Sequence, residues 1–144
     1  EYLQRTEELN ENRNIVKNGD VLLASTGDGT LGKCCVYDKK FPAIADGHVT
    51  IIRVDKKVID PYYLADYLRC GFGASQINRL YSGSTGLIEL TPEQVDVILI
   101  DIMLDKVGVD VQKKKSKSIR NIEKKYQKQI EKAEKTLIGI EDVW

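Results

Sequence analysis

A chain of 144 residues is long enough for one domain plus an appendage. Its 22 basic and 22 acidic residues cancel, which argues against an autonomous, tight binder of polyanions, since such proteins carry a marked basic excess. No apolar run approaches the length of a membrane span and no signal-peptide pattern is present, so a cytoplasmic protein without a membrane role is expected.

The cancellation is uneven. Up to Ile100 there are 11 Lys and Arg against 14 Asp and Glu, a balance of −3; from Asp101 onward the count is 11 against 8, or +3. Three cysteines and one histidine argue against a structural zinc site, because Cys34 and Cys35 are adjacent and no C-x-x-C spacing occurs. Reduced cysteines packed as small hydrophobes are expected, with Cys34 and Cys35 on opposite faces of a strand.

Glu1 to Asn14 is charged, has little apolar period and does not open on Met, which reads as a piece cut from something longer. Asp20 to Ser25, Lys33 to Tyr37 and Val49 to Val54 have strand composition and are bounded by Gly-, Asp- or Lys-rich turns. Between the first two, Gly27, Gly29 and Gly32 spell G-x-G-x-x-G, the form of a dinucleotide-binding loop. That loop needs a helix after its third glycine to hold the pyrophosphate, whereas Lys33 to Tyr37 lacks a helical period, so a hairpin turn is expected.

Asp60-Pro61 predicts a helix start, with Asp60 as N-cap, Pro61 at the first helical position and Tyr63, Leu64, Tyr67 and Leu68 inward. Gly71 and Gly73 are expected to end it, and Ala74 to Tyr81 to form a second short helix broken by Ser82 to Gly86. Leu87 to Leu90 reads as a strand. Thr91-Pro92-Glu93-Gln94 is a capping box opening a short helix, and Val97 to Met103 (VILIDIM) reads as the most buried strand. Strands interspersed irregularly with short helices predict an α+β fold with a compact mixed sheet.

The C-terminal segment predicts one long helix, from about Gln112 to Asp142. Ile119, Ile122, Tyr126, Ile130, Ala133, Leu137, Ile140 and Trp144 recur at three- and four-residue spacing among Lys, Glu and Gln, giving one narrow apolar stripe. Such a helix is roughly 45 Å long against a radius of gyration near 13 Å for a globule of about 100 residues. Much of the stripe therefore overhangs and is expected to take a partner helix. The division is residues 1–104 for the globular domain and 105–144 for the helix.

No constellation points to catalysis within the chain. Asp60-Pro61-Tyr62-Tyr63 lacks the second proline of an adenine-methylating loop, and Asp60, Asp66, Glu89, Glu93 and Asp96 sit at helix starts and turns, where acidic residues have a capping role. Ser25 and Ser84 lie in glycine-rich turns, but His48, the only possible base, has no orienting acid. No cofactor, no metal and no intrinsic enzyme activity are expected.

The order of the motifs is more specific than any of them alone. GDVLL at Gly19 to Leu23, the Ser/Thr-Gly-rich turn ending in Gly32-Lys33, DGHVTIIR at Asp46 to Arg53, the DPYYLADYL helix and the GSTG turn at Gly83 to Gly86 resemble the target-recognition domain of the DNA specificity subunits of type I restriction-modification systems. Similar domains are fused to adenine DNA methylases. The resemblance runs from about Val16 to the C-terminus. It departs from the family where a proline-rich lead into the helix is replaced by Asp105 to Gln112 (DKVGVDVQ).

The resemblance implies a non-catalytic module that reads double-stranded DNA for an adenine methyltransferase subunit or domain and, in a complete system, for a restriction/translocase subunit. The helix would act as spacer and docking element, with a homodimer expected through its stripe. Base edges are read by donors and acceptors on adaptable loops, so the DNA-binding candidates are Ser25, Thr26, Asp28, Thr30 and Lys33 in one turn, and Arg79, Ser82, Ser84 and Thr85 around another. Lys39 and Lys40 are candidate phosphate contacts. His48 has two readings, a structural turn residue or a ring reaching toward DNA. Two rival functions remain: a protein-interaction module acting through the helix alone, and a nucleotide-binding domain using the Gly27 to Gly32 loop.

Overall fold

The computed structural model describes residues 14–84, 87–102 and 106–141. Its centre is a three-stranded antiparallel sheet of β2 (Val21–Ala24) flanked by β3 (Cys34–Val36) and β5 (Val49–Ile52). A second pair, β1 (Ile15–Val16) with β4 (Ala43–Ile44), and a hairpin of β6 (Ser82–Ser84) with β7 (Leu87–Glu89) complete the β structure. The helices are α1 (Pro61–Arg69), α2 (Gly71–Leu80), α3 (Pro92–Asp96) and α4 (Lys106–Glu141). The architecture is the expected α+β domain followed by one long helix, but the single mixed sheet expected is replaced by three small sheets whose pairings are all antiparallel.

Alternation places the core. Val21 and Leu23 on β2 are fully buried and pack with Leu64, Ala65 and Leu68 of α1 and Ile77 of α2, so the central strand has one face under the helices. Pairing of Val21 with both Val36 and Ile52 fixes the register, because a one-residue slip would carry the apolar set to solvent. Asp60 caps α1 by accepting from the Tyr63 amide at 3.1 Å. Thr91 and Gln94 form the reciprocal capping box of α3.

Asp20 and Arg53 tie the two most recognisable sequence segments together. Arg53 donates from Nε and Nη2 to the two carboxylate oxygens at 2.9 and 2.6 Å, and the Lys17 amide adds a bond at 2.7 Å. Burial acts to raise the Asp20 carboxyl, but the Arg53 hydrogen bonds, the Lys17 amide and the two nearby cations outweigh it and hold the group below the usual aspartate value. A carboxyl depressed on folding stabilises the fold above its unfolded pKa and loses that contribution as pH falls through the folded value. Asp20→Asn is therefore expected to cost about 2 kcal/mol at neutral pH, below the 3 to 5 kcal/mol typical of fully buried pairs because the Arg53 side chain is 55% exposed. Denaturant unfolding should show the difference from the parent shrinking below about pH 4; a gap independent of pH would contradict the assignment.

Three boundaries differ from the sequence reading. α2 begins at Gly71 rather than Ala74: Gly71, at φ +56°, turns the chain in one step, and Gly73 is a packing residue inside the helix. Residues 97–102 do not form a strand. Ile98, Ile100 and Ile102 face the core while Val97 and Leu99 are 60% and 71% exposed, and the backbone is held by side chains: Gln76 bonds the Leu99 amide and carbonyl at 2.9 and 2.8 Å, and Tyr67 and Tyr63 donate to Leu99 and Asp101 carbonyls. Met103 lies outside the described residues.

The third difference is the long helix, which starts at Lys106, six residues before Gln112. Its first turns dock on α1. Gln112 accepts from the Asp60 amide at 2.8 Å, Val109 and Ser116 are buried, and the Arg120 guanidinium lies 3.9 Å from the Tyr62 ring centre. Arg69 then bridges Asp66 on its own helix and Glu123 on α4. Contacts advance along both helices together, so α4 runs parallel to α1 and leaves it past Arg69. From Asn121 to Thr136 every side chain is exposed.

Candidate functional site

Three loops converge at the end of the sheet where β2 stops. Ser25 donates from both its amide and its hydroxyl to the His48 carbonyl, at 2.9 and 3.0 Å, and accepts from the Leu90 amide at 2.8 Å. Thr26 bridges to Glu89, and the Gly27 amide bonds the Ile88 carbonyl. The glycine-rich turn, the turn before β5 and the β6–β7 hairpin are thereby fastened into one surface.

The G-x-G-x-x-G is a product of backbone geometry. Gly27, Gly29 and Gly32 have φ of +92°, +74° and +85°, left-handed values that favour glycine. Strand β3 follows at once, so no helix N-terminus is offered to a pyrophosphate and the nucleotide-loop reading loses its structural basis. A Cβ on Gly27 would press on the Thr30 hydroxyl, which donates to the Thr26 and Gly27 carbonyls at 2.8 and 3.1 Å.

These bonds sort the candidates. Ser25 is buried and its hydroxyl is used internally, so it is a fastening residue and leaves the set exposed to a ligand. Thr30, although exposed, spends its donor on the turn. His48 serves the turn: Nδ1 is hydrogen-bonded to the Thr26 hydroxyl at 2.7 Å and the His48 amide to Asp46, while the side chain is 76% exposed. One ring edge is anchored by Thr26, and the other, exposed, has Nε2 at 3.9 Å from the Asp46 carboxylate, so an acid does stand beside the ring.

Asp28 and Lys33 are exposed on the same turn, and Ser82 and Ser84 on the adjoining hairpin. Arg79, exposed in the last turn of α2, leads into that hairpin. Between the glycine turn and α2 runs a groove of about 580 Å³, with Gly29, Gly32 and Lys33 on one wall and Ile77 and Asn78 on the other. Thr85 lies outside the described residues. Lys39 and Lys40 do not join the cluster: they follow β3 at the opposite end of the sheet, where Asn18 bonds the Lys39 carbonyl.

The apolar stripe of α4 is distinct from its docking face. Ile119, Ile122, Tyr126 and Ile130 are 37% to 61% exposed and lie about 80° around the helix from Val109, Gln112, Ser116, Arg120 and Glu123. Ala133 is exposed too; Leu137 and Ile140 belong to the helix, but their side chains, like Trp144, lie outside what is described. Sequence reasoning misses the docking residues because Gln112, Ser116 and Arg120 are polar. Their three- and four-residue spacing is the available signal.

Cys34 is buried, its thiol pushed up to about 12 chiefly by burial and then by Cys35, while Cys35 is exposed on the other face of β3. Among the described residues no group of three or more His, Cys, Asp or Glu could hold a metal ion, and no helix is long and apolar enough to cross a membrane. No protein-family model matches the chain, and no curated protein sequence is similar to it.

Proposed function

We propose that the chain is a sequence-reading DNA module of the type I, or methylase-fused, restriction-modification kind, which directs an adenine methyltransferase to its target without performing chemistry itself. The observation that carries this reading is the convergence of Thr26, Asp28, Lys33, His48, Ser82 and Ser84 on one end of a rigid sheet. Hydroxyls, an amide-rich turn, an imidazole edge and a carboxylate offer the mixed donors and acceptors that base edges require. The scaffold beneath them is fastened by backbone bonds, so their positions are preorganised.

The helix supports the same reading. An exposed row of Ile and Tyr calls for another helix, from a second copy or a second module, and a rod of about 54 Å sets a distance between modules. In a complete system the restriction/translocase subunit would act on DNA selected in this way. The rival in which the helix alone works as an interaction module leaves the fastened polar surface without a role.

His48 provides the test at single-residue level. Its ring is tied at Nδ1 and exposed at the far edge, where Asp46 stands 3.9 Å from Nε2, so His48→Ala is expected to remove one base contact, costing about 1 to 3 kcal/mol and relaxing one position of the site. Selection from a randomised duplex pool, with the methyltransferase partner present, reads this out. Identical enriched motifs for parent and variant would remove His48 from the reading surface.

A further inference from the structure

Helix α4 carries a surface that the loops and the apolar stripe leave unexplained. Within Lys106–Glu141 there are 11 Lys and Arg against 5 Asp and Glu, a balance of +6. At about 100° per residue, Lys113, Lys117, Lys124, Lys128 and Lys135 fall within an arc of roughly 60°. That arc is nearly opposite Ile119, Ile122, Tyr126 and Ile130. It spans about 33 Å of helix, and its lysines are exposed.

A repeat writes this order. Residues 113–123 (KKKSKSIRNIE) and 124–134 (KKYQKQIEKAE) align as K-K-x-x-K-x-I-x-x-x-E, and Lys135 opens a third copy. Eleven residues close three turns at about 3.67 per turn, so lysines and isoleucines keep their opposite faces with little drift. A heptad would not place the lysine pairs in line.

The arrangement works against the isolated helix. Lys113 with Lys117, Lys124 with Lys128 and Lys128 with Lys132 are like charges four residues apart, each destabilising by a few tenths of a kcal/mol. A solvated face ordinarily places Glu at those positions. Asp110 and Glu131 are the acidic residues on this side, and among the described residues no carboxylate lies within ion-pairing distance of the five lysines. A polyanion would turn this repulsion into attraction.

We infer that the lysine face of α4 is a contact surface for the phosphate backbone of a nucleic-acid duplex, separate from the loop cluster and not dependent on the loops reading bases. A duplex suits a straight rod of regularly spaced point charges. An anionic membrane suits it poorly: an interfacial helix buries its apolar face with cations flanking it at the headgroups, whereas here the lysines would point away from the bilayer that took up the isoleucines. The two faces can be used at once only if a helix covers one and a polyanion the other.

The experiment is a salt titration of binding to a fluorescent duplex of arbitrary sequence. Compared are the parent chain, a variant with Lys113, Lys117, Lys124, Lys128 and Lys135 all changed to Gln, and one with all five changed to Arg. Lys, Gln and Arg have similar helix propensities, and circular dichroism verifies the helix. The Gln variant is expected to lose on the order of 100-fold in affinity at low salt, with the slope of log affinity against log salt flatter by about 4; the Arg variant should match the parent. A parent slope near zero, a Gln variant with parental affinity, or lysine-dependent binding to phosphatidylserine vesicles but not to the duplex would each overturn the inference. Set beside the randomised-pool selection with the methyltransferase partner, lysine-dependent binding with no enriched motif would sink the base-reading proposal alone, and an enriched motif with binding indifferent to the lysines would sink this one alone.

Discussion

Gly73→Ala is expected to destabilise the domain by about 3 kcal/mol, the upper range for overpacking. The sign is the informative part. Gly73 is inside a helix, where intrinsic propensity makes Ala better than Gly by about 0.8 to 1 kcal/mol. An added Cβ, however, would overlap the Tyr67 carbonyl oxygen and stand 2.8 Å from both the Tyr67 carbonyl carbon and its Cδ1. The backbone of α1 cannot yield without moving α2, and α2 carries Ile77 into the core and Asn78 to the groove wall.

Two other glycines calibrate the result. A Cβ added at Gly47 would meet no heavy atom within 4 Å, and the backbone there is not in the left-handed region, so Gly47→Ala should be close to neutral. Gly29 is equally open but sits at φ +74°, so Gly29→Ala should cost roughly 1 to 2 kcal/mol from the left-handed backbone alone. Urea denaturation of the three variants gives the order directly. Gly73→Ala as stable as Gly47→Ala would show that α1 and α2 are not held at this close approach.

Sequence period is enough to find β2, β3, β5, α1 and the capping box of α3, because in each the local signal and the tertiary environment agree. It misjudges VILIDIM for a physical reason. A continuous apolar run implies burial on both faces, but its described part, residues 97–102, lies on the surface of the core, with Leu99 outward and its backbone satisfied by Gln76 and the tyrosines rather than by a neighbouring strand. Side chains that substitute for a ladder leave no periodic trace.

The surface is legible in part. The polar turn residues near Gly27 and Gly83 are visible in the sequence, but that they share one surface depends on the Thr26 to Glu89 bridge, a pairing between distant segments that no local pattern encodes. The Ser25 role is hidden for the same reason, since its partner is the carbonyl of His48. Lys39 and Lys40 lie apart from the loop cluster, because antiparallel pairing of β2 with β3 sends their turn to the far end. The Asp20–Arg53 pair joins two motifs whose sequence separation gives no hint of contact. The helix stripe is readable, yet the docking face beside it is not, because burial there falls on Gln112 and Ser116.

The central claim is that sequence choice resides in the globular domain and assembly in the helix. Every exposed polar candidate on the converging loops precedes α4, and α4 presents docking, apolar and cationic faces with no turn that could enter a groove edge-on. The two roles should therefore be separable. Exchange of the segment from Val16 to Met103 for the equivalent part of a related protein, in cells that carry the methyltransferase, followed by genome-wide sequencing of methylated adenines, measures this directly. The expected result is a wholly different methylated motif at undiminished methylation, a change of specificity far larger than any single contact provides. An unchanged motif after the exchange would contradict the account and favour a module that works through its helix alone.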